Sequence, residues 1–398
     1  MAKVYVIGTM DTKGEELRFA AACVRRAGAE PVLVDVGTRN PAGDVDVTAV
    51  EIASHCPEGT GPALGLDDRG RAIAGMAAGL TRWLAGRRDI GAVLGLGGSG
   101  NTALVTHAMR ALPVGTPKLM VSTVASGNVA PYVGPTDIAM MYSVVDVAGL
   151  NAISRRVIAN AAHAAAGMAL AEAPPAPATE KPGIGMTMFG VTTACVTMLR
   201  EALDPTHECY VFHATGAGGR SMEKLADSGL VAAVIDLTTT EVPDFLVGGV
   251  FPCDADRFGA AIRTRLPYVG SVGAVDMVNF GALDTVPERF TGRNLYVHNS
   301  QVTLMRTTPD ENVEIAHFIV ERLNRMEGPV RFLLPLGGVS AIDAPGMPFH
   351  DPAADAALFD TIRAGFVPGP NRRLVEVPAA INDRAFADAV LTAFREIA

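Results

Sequence analysis

The sequence predicts an α/β protein made of two lobes, each with a mainly parallel sheet, and a cleft between the lobes. Short β-branched runs alternate with longer helical patterns along most of the chain, which is the rhythm of βαβ units. The rhythm stops at a proline- and alanine-rich segment, EAPPAPATEKP, and then restarts. We therefore expect an N-terminal lobe over 1–171, a linker over 172–182 and a C-terminal lobe over 183–398, because so many prolines cannot sustain a helix.

The elements of the N-terminal lobe follow from apolar runs and helical periodicity. KVYVIG at its start is a continuous apolar run typical of a buried parallel strand, and EELRFAAACVRRAG has a helical pattern that ends at Gly28. The predicted strands are 3–8, 31–36, 91–96 and 118–123, and the predicted helices are 15–28, 70–88, 102–112 and 150–171.

The C-terminal lobe repeats the same pattern. Its predicted strands are 183–189, 208–213, 230–236, 331–336 and 374–377, and its predicted helices are 194–203, 221–228, 353–364 and 384–397. The strand at 3–8 corresponds to the one at 183–189, and the strand at 91–96 corresponds to 231–236. This weak internal repeat predicts two related, Rossmann-like lobes. It leaves open whether a late helix crosses back to the first lobe.

Composition excludes several classes of protein. Of 398 residues, 49% are hydrophobic and 19% charged, against a usual charged share of about 25%, so we expect a homo-oligomer. The formal net charge of -9 argues against nucleic-acid binding. No apolar run is long enough to cross a membrane. The five cysteines are widely spaced and show no metal-ligand pattern, which indicates free thiols and a cytoplasmic location.

The glycine-rich turn GLGGSGNT is the strongest candidate site. Glycines allow backbone N–H groups to approach an anion, and the N-terminus of the following helix adds a favourable dipole. We expect phosphate to bind at Gly97, Gly98, Ser99, Gly100, Asn101 and Thr102. The letters also satisfy G-x-G-x-x-G, but no acid follows about 20 residues later, so a dinucleotide fold is the weaker interpretation. A tight structural turn is the alternative.

The turn GTMDTKG follows the first strand. Lys13 is a candidate phosphate contact, and Asp11 is a candidate contact to a ribose hydroxyl or to magnesium. The alternative is that Asp11 or Thr12 only caps the next helix.

Two turns of the second lobe have similar composition. ATGAGGRS contains Gly216, Gly218 and Gly219, with Arg220 as a candidate anion partner. LTTTE contains Thr239 and Thr240, with Glu241 as a candidate metal ligand or general base. The alternative for both is ordinary turn structure.

Together these motifs resemble a known family. IGTMDTKGEEL, LGLGGSGNT, STVASGN, FGVTT, HATGAGGRSME and IDLTTTEV occur in order and look like the nucleotide-binding family typified by the N-terminal half of the tomato tobamovirus-resistance protein. The resemblance implies a two-lobed, dimeric ATP-binding protein. It implies ATP contacts at Gly8, Thr9, Asp11, Thr12, Lys13, the Gly97–Thr102 turn, Ser126 and Gly127. A less exact match extends these contacts to Thr192, Thr193 and the second-lobe residues Gly216–Arg220 and Thr239–Glu241. Some relatives carry a TIM barrel, so a separate TIM-barrel protein is an expected partner.

The sequence therefore predicts Mg-ATP in the inter-lobe cleft. Lys13 would neutralise phosphate charge, Asp11 or Glu241 would position Mg²⁺, and Arg220 would face a small anionic metabolite, an arrangement suited to phosphoryl transfer. Two other interpretations stay open. One is a nucleotide sensor or interaction module without catalysis, and the other is a NAD(P)-dependent oxidoreductase.

Overall fold

The computed structural model describes residues 3–39, 43–65, 68–171 and 181–398. The chain divides into two compact units, Met1–Ala176 and Pro177–Ala398. Most of the predicted linker lies outside the described residues. No helix in the described ranges combines the length and apolar character needed to span a bilayer.

The first unit contains a parallel sheet with helices on both faces. Its strands are β1 (Lys3–Gly8), β2 (Glu30–Asp35), β3 (Ile90–Gly97), β4 (Lys118–Ser122) and β5 (Ala139–Tyr142). Its helices are α1 (Met10–Arg26), α2 (Ala49–Ser54), α3 (Arg69–Ala85), α4 (Ser99–Ala111), α5 (Ala130–Val133) and α6 (Ala152–Leu170). The strand order is β2-β1-β3-β4-β5, with every described pairing parallel.

Two separate apolar cores cover the two faces of this sheet. One packs α2, α3 and α4 around Tyr5, Trp83 and Met120. The other packs α1 and α6 around Val6, Leu17 and Ile158. Because α1 and α4 lie on opposite faces, the chain leaves β1 and β3 in opposite directions, and a crevice opens between the carboxyl ends of these two strands.

The second unit contains a larger parallel sheet and a small antiparallel one. Its strands are β6 (Gly183–Met188), β7 (Glu208–His213), β8 (Ala233–Thr238), β9 (Tyr268–Gly273), β10 (Met277–Phe280), β11 (Leu295–Asn299), β12 (Val302–Arg306), β13 (Val330–Pro335) and β14 (Arg372–Val377). Its helices are α7 (Thr193–Leu203), α8 (Ala217–Asp227), α9 (Glu241–Pro243), α10 (Gly259–Thr264), α11 (Pro309–Arg325), α12 (Pro352–Gly365) and α13 (Arg384–Arg395). The orders are β14-β13-β9-β8-β6-β7 and β10-β12-β11.

The strand orders confirm the internal repeat. When the strands of each parallel sheet are numbered from the start of its unit, both orders begin 2-1-3-4-5, and the second unit adds a sixth strand at the edge. β1 then corresponds to β6 and β3 to β8, as the sequence comparison predicts. The late strands β13 and β14 belong to the second unit's own sheet, and α13 packs on α7 in the same unit.

Several predicted boundaries need correction. α1 begins at Met10 rather than at residue 15, because the Asp11–Lys13 segment forms a first turn that is separated by a kink at Lys13 (φ -131°, ψ 18°). α4 begins at Ser99 and α8 at Ala217, each a few residues before the predicted start. Strands β5, β9, β10, β11 and β12 and helix α11 had no counterpart in the prediction.

Candidate functional site

A well-formed cavity lies in the first unit, where the carboxyl ends of β1 and β3 diverge. Its volume is about 350 Å³, within the usual range for small-molecule sites. It is lined by Thr9, Asp11, Thr12, Lys13, Val36, Thr38, Arg39, Arg69, Ile73, Gly98, Ser99, Gly100, Asn101, Leu104 and Asp146. The 2-1-3-4-5 strand order places a ligand site at this position in doubly wound folds.

The turn between β3 and α4 presents free backbone donors to the cavity. Gly98 is the N-cap residue of α4 and has no side chain to cap the helix. Gly97 has a φ of +156°, and a Cβ built on it would lie 2.7 Å from the Cβ of Asn101, so this position requires glycine. The first N–H groups of a helix have no acceptor within it. The N-terminus of α4 is therefore suited to an anion.

Two polar side chains hold this turn in place. The buried Asn101 donates through Nδ2 to the carbonyl of Leu96, while its Oδ1 has no partner among the described residues. The Thr102 hydroxyl lies 2.8 Å from the carbonyl of Gly98 and 2.6 Å from the Ser122 hydroxyl. Thr102 is completely buried and does not line the cavity, so it supports the turn from behind.

The turn between β1 and α1 forms another wall. The alternative that Asp11 or Thr12 caps the helix is wrong. The N-cap of α1 is Thr9, and its side chain makes no capping hydrogen bond. The hydroxyls of Thr9 and Thr12 lie 2.8 Å apart instead. Asp11, Thr12 and Lys13 all line the cavity.

Five charged side chains meet around the cavity. Three are basic and two acidic: Lys13, Arg39, Arg69, Asp11 and Asp146. None forms an ion pair within the described ranges, although many charged residues elsewhere are paired. Arg69 lies beside the α4 N-terminus, since its Nη2 is 3.5 Å from a Cβ built on Gly100. The net positive charge and the helix termini together favour an anionic ligand.

The structure brings together part of the predicted first-lobe set. Thr9, Asp11, Thr12, Lys13 and the Gly98–Asn101 turn line one cavity, whereas Gly8 and Gly97 support it from the strand ends. Ser126 and Gly127 lie in an exposed turn after β4, outside the cavity lining. Sequence reasoning missed Arg39, Arg69 and Asp146. A search of every strand end would have found Arg39, which follows β2 in the polar run GTRN.

In the second unit, the glycine-rich turn binds a carboxylate of the protein itself. Glu241 is completely buried, and its Oε1 accepts hydrogen bonds from the backbone N–H of Gly216 (2.6 Å) and Gly219 (3.0 Å). A Cβ built on Gly219 would lie 2.0 Å from Glu241 Oε2, and one on Gly218 would lie 1.8 Å from the His213 carbonyl. The glycines thus permit close packing around an internal anion.

A buried guanidinium completes this arrangement. Arg257 donates to Glu241 (3.1 Å), Asp236 (2.8 Å) and Glu223 (3.0 Å). Burial opposes the charge on Arg257, but the three carboxylates outweigh it and raise its pKa. Burial also raises the pKa of Glu223 to about 7. Glu241 therefore has a complete set of protein partners.

The other predicted second-lobe residues have local partners. Arg220 is exposed and donates to the carbonyl of Gly216 (3.0 Å). The exposed Thr193 hydroxyl donates to the carbonyl of Phe189 (3.2 Å). Thr239 and Thr240 are completely buried, and their hydroxyls lie 3.3 Å from the Ser271 carbonyl and from Asn279 Nδ2 respectively.

A second buried charge cluster lies elsewhere in this unit. Arg306 donates to Asp343 (3.2 Å) and Asp355 (2.6 Å), and Asp276 accepts from the Ser340 hydroxyl (2.8 Å). Burial, followed by the charges of Asp276 and Asp355, raises the pKa of Asp343 to about 8. Within the described ranges, no group of three or more His, Cys, Asp or Glu is arranged to hold a metal ion.

Comparisons with known proteins give the family. Residues 2–174 match the model of the Uncharacterised protein family (UPF0261) N-terminal domain, and residues 181–398 match that of its C-terminal domain. A UPF0261 protein of Rhizobium meliloti is 55% identical over the full length of both chains. The ToMV resistance protein Tm-1(GCR237) of Solanum lycopersicum is 42% identical over 99% of this chain and 56% of its own length.

Among solved structures, a C2-type ketoreductase from a modular polyketide synthase matches 98% of this chain and 85% of its own, with 17% identity and a TM-score of 0.24. That score is too low to support an argument about function. The two family models together match nearly the whole sequence. The chain therefore belongs to the UPF0261 family.

Proposed function

We propose that the first unit binds the phosphate groups of a nucleotide, with Mg-ATP as the main candidate. The observation that carries the proposal is the cavity at the carboxyl ends of β1 and β3. There an uncapped helix N-terminus meets three basic residues that form no ion pair with any described residue. Backbone N–H groups at a helix start and nearby cations are the groups that bind phosphate in proteins.

Each group has a defined part in this proposal. The N–H groups of Ser99, Gly100 and Asn101 bind phosphate oxygens, and Arg69 beside them neutralises charge. Lys13 contacts a further phosphate from the β1 side of the cavity. Asp11, which is exposed to the cavity, provides a ligand for Mg²⁺ that the nucleotide carries. Positioning and charge neutralisation of this kind are what phosphoryl transfer requires.

Glu241 and Arg220 have no part in the proposal. The partners of Glu241 are two backbone N–H groups and Arg257, and Arg220 bonds to its own helix start. These contacts support a structural role for the glycine-rich turn of the second unit, as an internal anion site.

A titration of the full chain with nucleotides tests the proposal. Calorimetry or thermal unfolding with ATP, ADP, AMP, NAD and NADP, each with and without Mg²⁺, should show the strongest binding for ATP with Mg²⁺. A ligand at 100 times its Kd stabilises the native state by about 2.7 kcal/mol. Stronger binding of NAD would favour the oxidoreductase, and binding of none of these ligands would reject the proposal. Phosphate release on addition of ATP and small acids separates an enzyme from a sensor.

A further inference from the structure

The segment from Ser143 to Gly149, here called the strap, contributes the acidic residue Asp146 to the cavity lining. At one end, the N–H of Ser143 donates to the carbonyl of Ser122 at the end of β4 (3.2 Å). At the other end, the N–H of Gly149 donates to the carboxylate of Glu16 on α1 (2.7 Å). The strap therefore connects the end of β4 to α1, and Asp146 lies midway between the two fixed ends.

The backbone of the strap is strained and its position is defined. Val144 has a φ of +66°, a conformation that is rare for a β-branched residue, although its side chain is 56% exposed and gains little packing. Such outliers persist only where surrounding contacts hold them. Here the Ser143 hydroxyl donates to the Val145 carbonyl (2.6 Å), and Val147, next to Asp146, is buried. The strap thus holds Asp146 in the cavity lining, and its carboxylate has no protein partner in the described ranges.

A carboxylate in this position favours one part of a phosphorylated ligand. It repels phosphate, which the α4 N-terminus and Arg69 attract, but it accepts hydrogen bonds from hydroxyl groups. Since Asp11 is assigned to Mg²⁺ above, Asp146 is the acidic residue of the cavity lining that remains for a hydrogen-bond donor. A ligand that carries both phosphate and paired hydroxyls suits this combination of groups.

We propose that Asp146 is a specificity-determining residue that accepts hydrogen bonds from the ribose hydroxyls of the bound nucleotide. This inference rests on the proposed function, because it assumes that phosphate occupies the α4 end of the same cavity. Asp146 then distinguishes a nucleotide from an inorganic polyphosphate, which the basic wall alone would bind equally well.

Calorimetric titration of the full chain tests this role with three probes: ATP, 2′,3′-dideoxy-ATP and inorganic triphosphate, all with Mg²⁺. Asp146→Asn should weaken ATP binding by about tenfold, because the amide keeps one neutral acceptor and puts an NH₂ donor in place of the second carboxylate oxygen. It should leave binding of the other two probes unchanged or strengthen it, because neither offers ribose hydroxyls to this carboxylate and the variant loses a charge that repels phosphate. The parent should prefer ATP over the dideoxy analogue by the same factor. Glu58→Gln, an equal charge change at an exposed residue outside the cavity lining, should match the parent.

The outcomes separate the two proposals. Unchanged ATP binding by Asp146→Asn overturns the role of Asp146, provided that the parent binds both ATP and triphosphate. Equal weakening of ATP and triphosphate also overturns it, since Asp146 would then act on the phosphates or on Mg²⁺. Failure of the parent to bind either compound overturns the proposed function itself. Thermal unfolding of both variants checks that each is folded, which we expect because both side chains are exposed.

Discussion

Gly98→Asp should stabilise the protein and abolish phosphate binding at the same time. Gly98 has a φ of -80° and a ψ of -169°, an extended backbone that any residue adopts. A Cβ built there would lie 3.7 Å from the Thr123 hydroxyl, an ordinary contact distance. An aspartate at this N-cap would accept from the free N–H groups of α4 and complement the helix dipole, a gain of about 0.5 kcal/mol in the free energy of unfolding.

The same carboxylate would occupy the proposed phosphate site. Roughly 4 Å from one negative charge on the phosphate, at an effective dielectric constant near 20, it would cost about 4 kcal/mol of binding free energy. That cost is about a thousandfold in Kd. One substitution thus changes folding stability and ligand affinity in opposite directions, which general damage to the fold cannot do.

Calorimetric titration with ATP measures the change in affinity, and urea unfolding measures the change in stability. Gly98→Asn supplies a similar cap without the charge, so its loss of affinity should be intermediate. Gly127→Asp adds the same charge to the exposed turn after β4, outside the cavity lining, and should bind ATP as the parent does. The reasoning is refuted if Gly98→Asp is folded and its Kd for ATP stays within about threefold of the parent value.

Three further predictions concern Lys13 in the cavity and the two buried charge clusters of the second unit. Lys13→Ala should weaken ATP binding by about tenfold in calorimetry and leave the urea midpoint unchanged, because Lys13 faces the cavity and has no ion-pair partner in the described ranges. Glu241→Ala should lower the free energy of unfolding by about 3–5 kcal/mol in urea titrations. The substitution removes, from a buried charge cluster, the carboxylate that accepts hydrogen bonds from the N–H groups of Gly216 and Gly219. Equal stability of variant and parent would contradict this prediction. Asp343, with its pKa raised to about 8, keeps a proton in the folded state that the unfolded chain releases above about pH 4. This group therefore stabilises the fold at low pH, and that contribution is lost, at about 1.4 kcal/mol per pH unit, as the pH rises through its folded pKa. In urea unfolding between pH 5 and 8, the free energy of unfolding should decline less steeply for Asp343→Asn than for the parent. Parallel profiles of the two proteins would contradict the raised pKa.

The α/β class and the order of most strands and helices could be predicted because they depend on local pattern. Buried parallel strands give continuous apolar runs, and the helices of both units have clear apolar faces. The antiparallel sheet of β10, β12 and β11 was missed, since its strands have four or five residues each and the apolar periodicity is short. Its pairing depends on contacts that a local pattern does not encode.

The two glycine-rich turns show where site prediction from sequence ends. Both turns were expected to bind an external anion, because both are glycine-rich and both follow a strand. The first opens onto a cavity, whereas the second contacts Glu241, which lies 25 residues after Gly216. Only the tertiary structure places that carboxylate against the turn. Arg69 and Asp146 were missed for the same reason, because neither lies in a motif and both reach the cavity through packing of distant segments.

Hydrogen–deuterium exchange of the full chain, with and without Mg-ATP, tests the central claim most directly. The N–H groups of Ser99, Gly100 and Asn101 have no helical acceptor and should exchange fast in the free protein. Bound phosphate should slow exchange in the peptide that contains them and in the one that covers Thr9–Lys13, and it should leave the 214–221 turn unchanged. Binding of ATP with protection only at 214–221, or with no protection at the start of α4, would contradict the account.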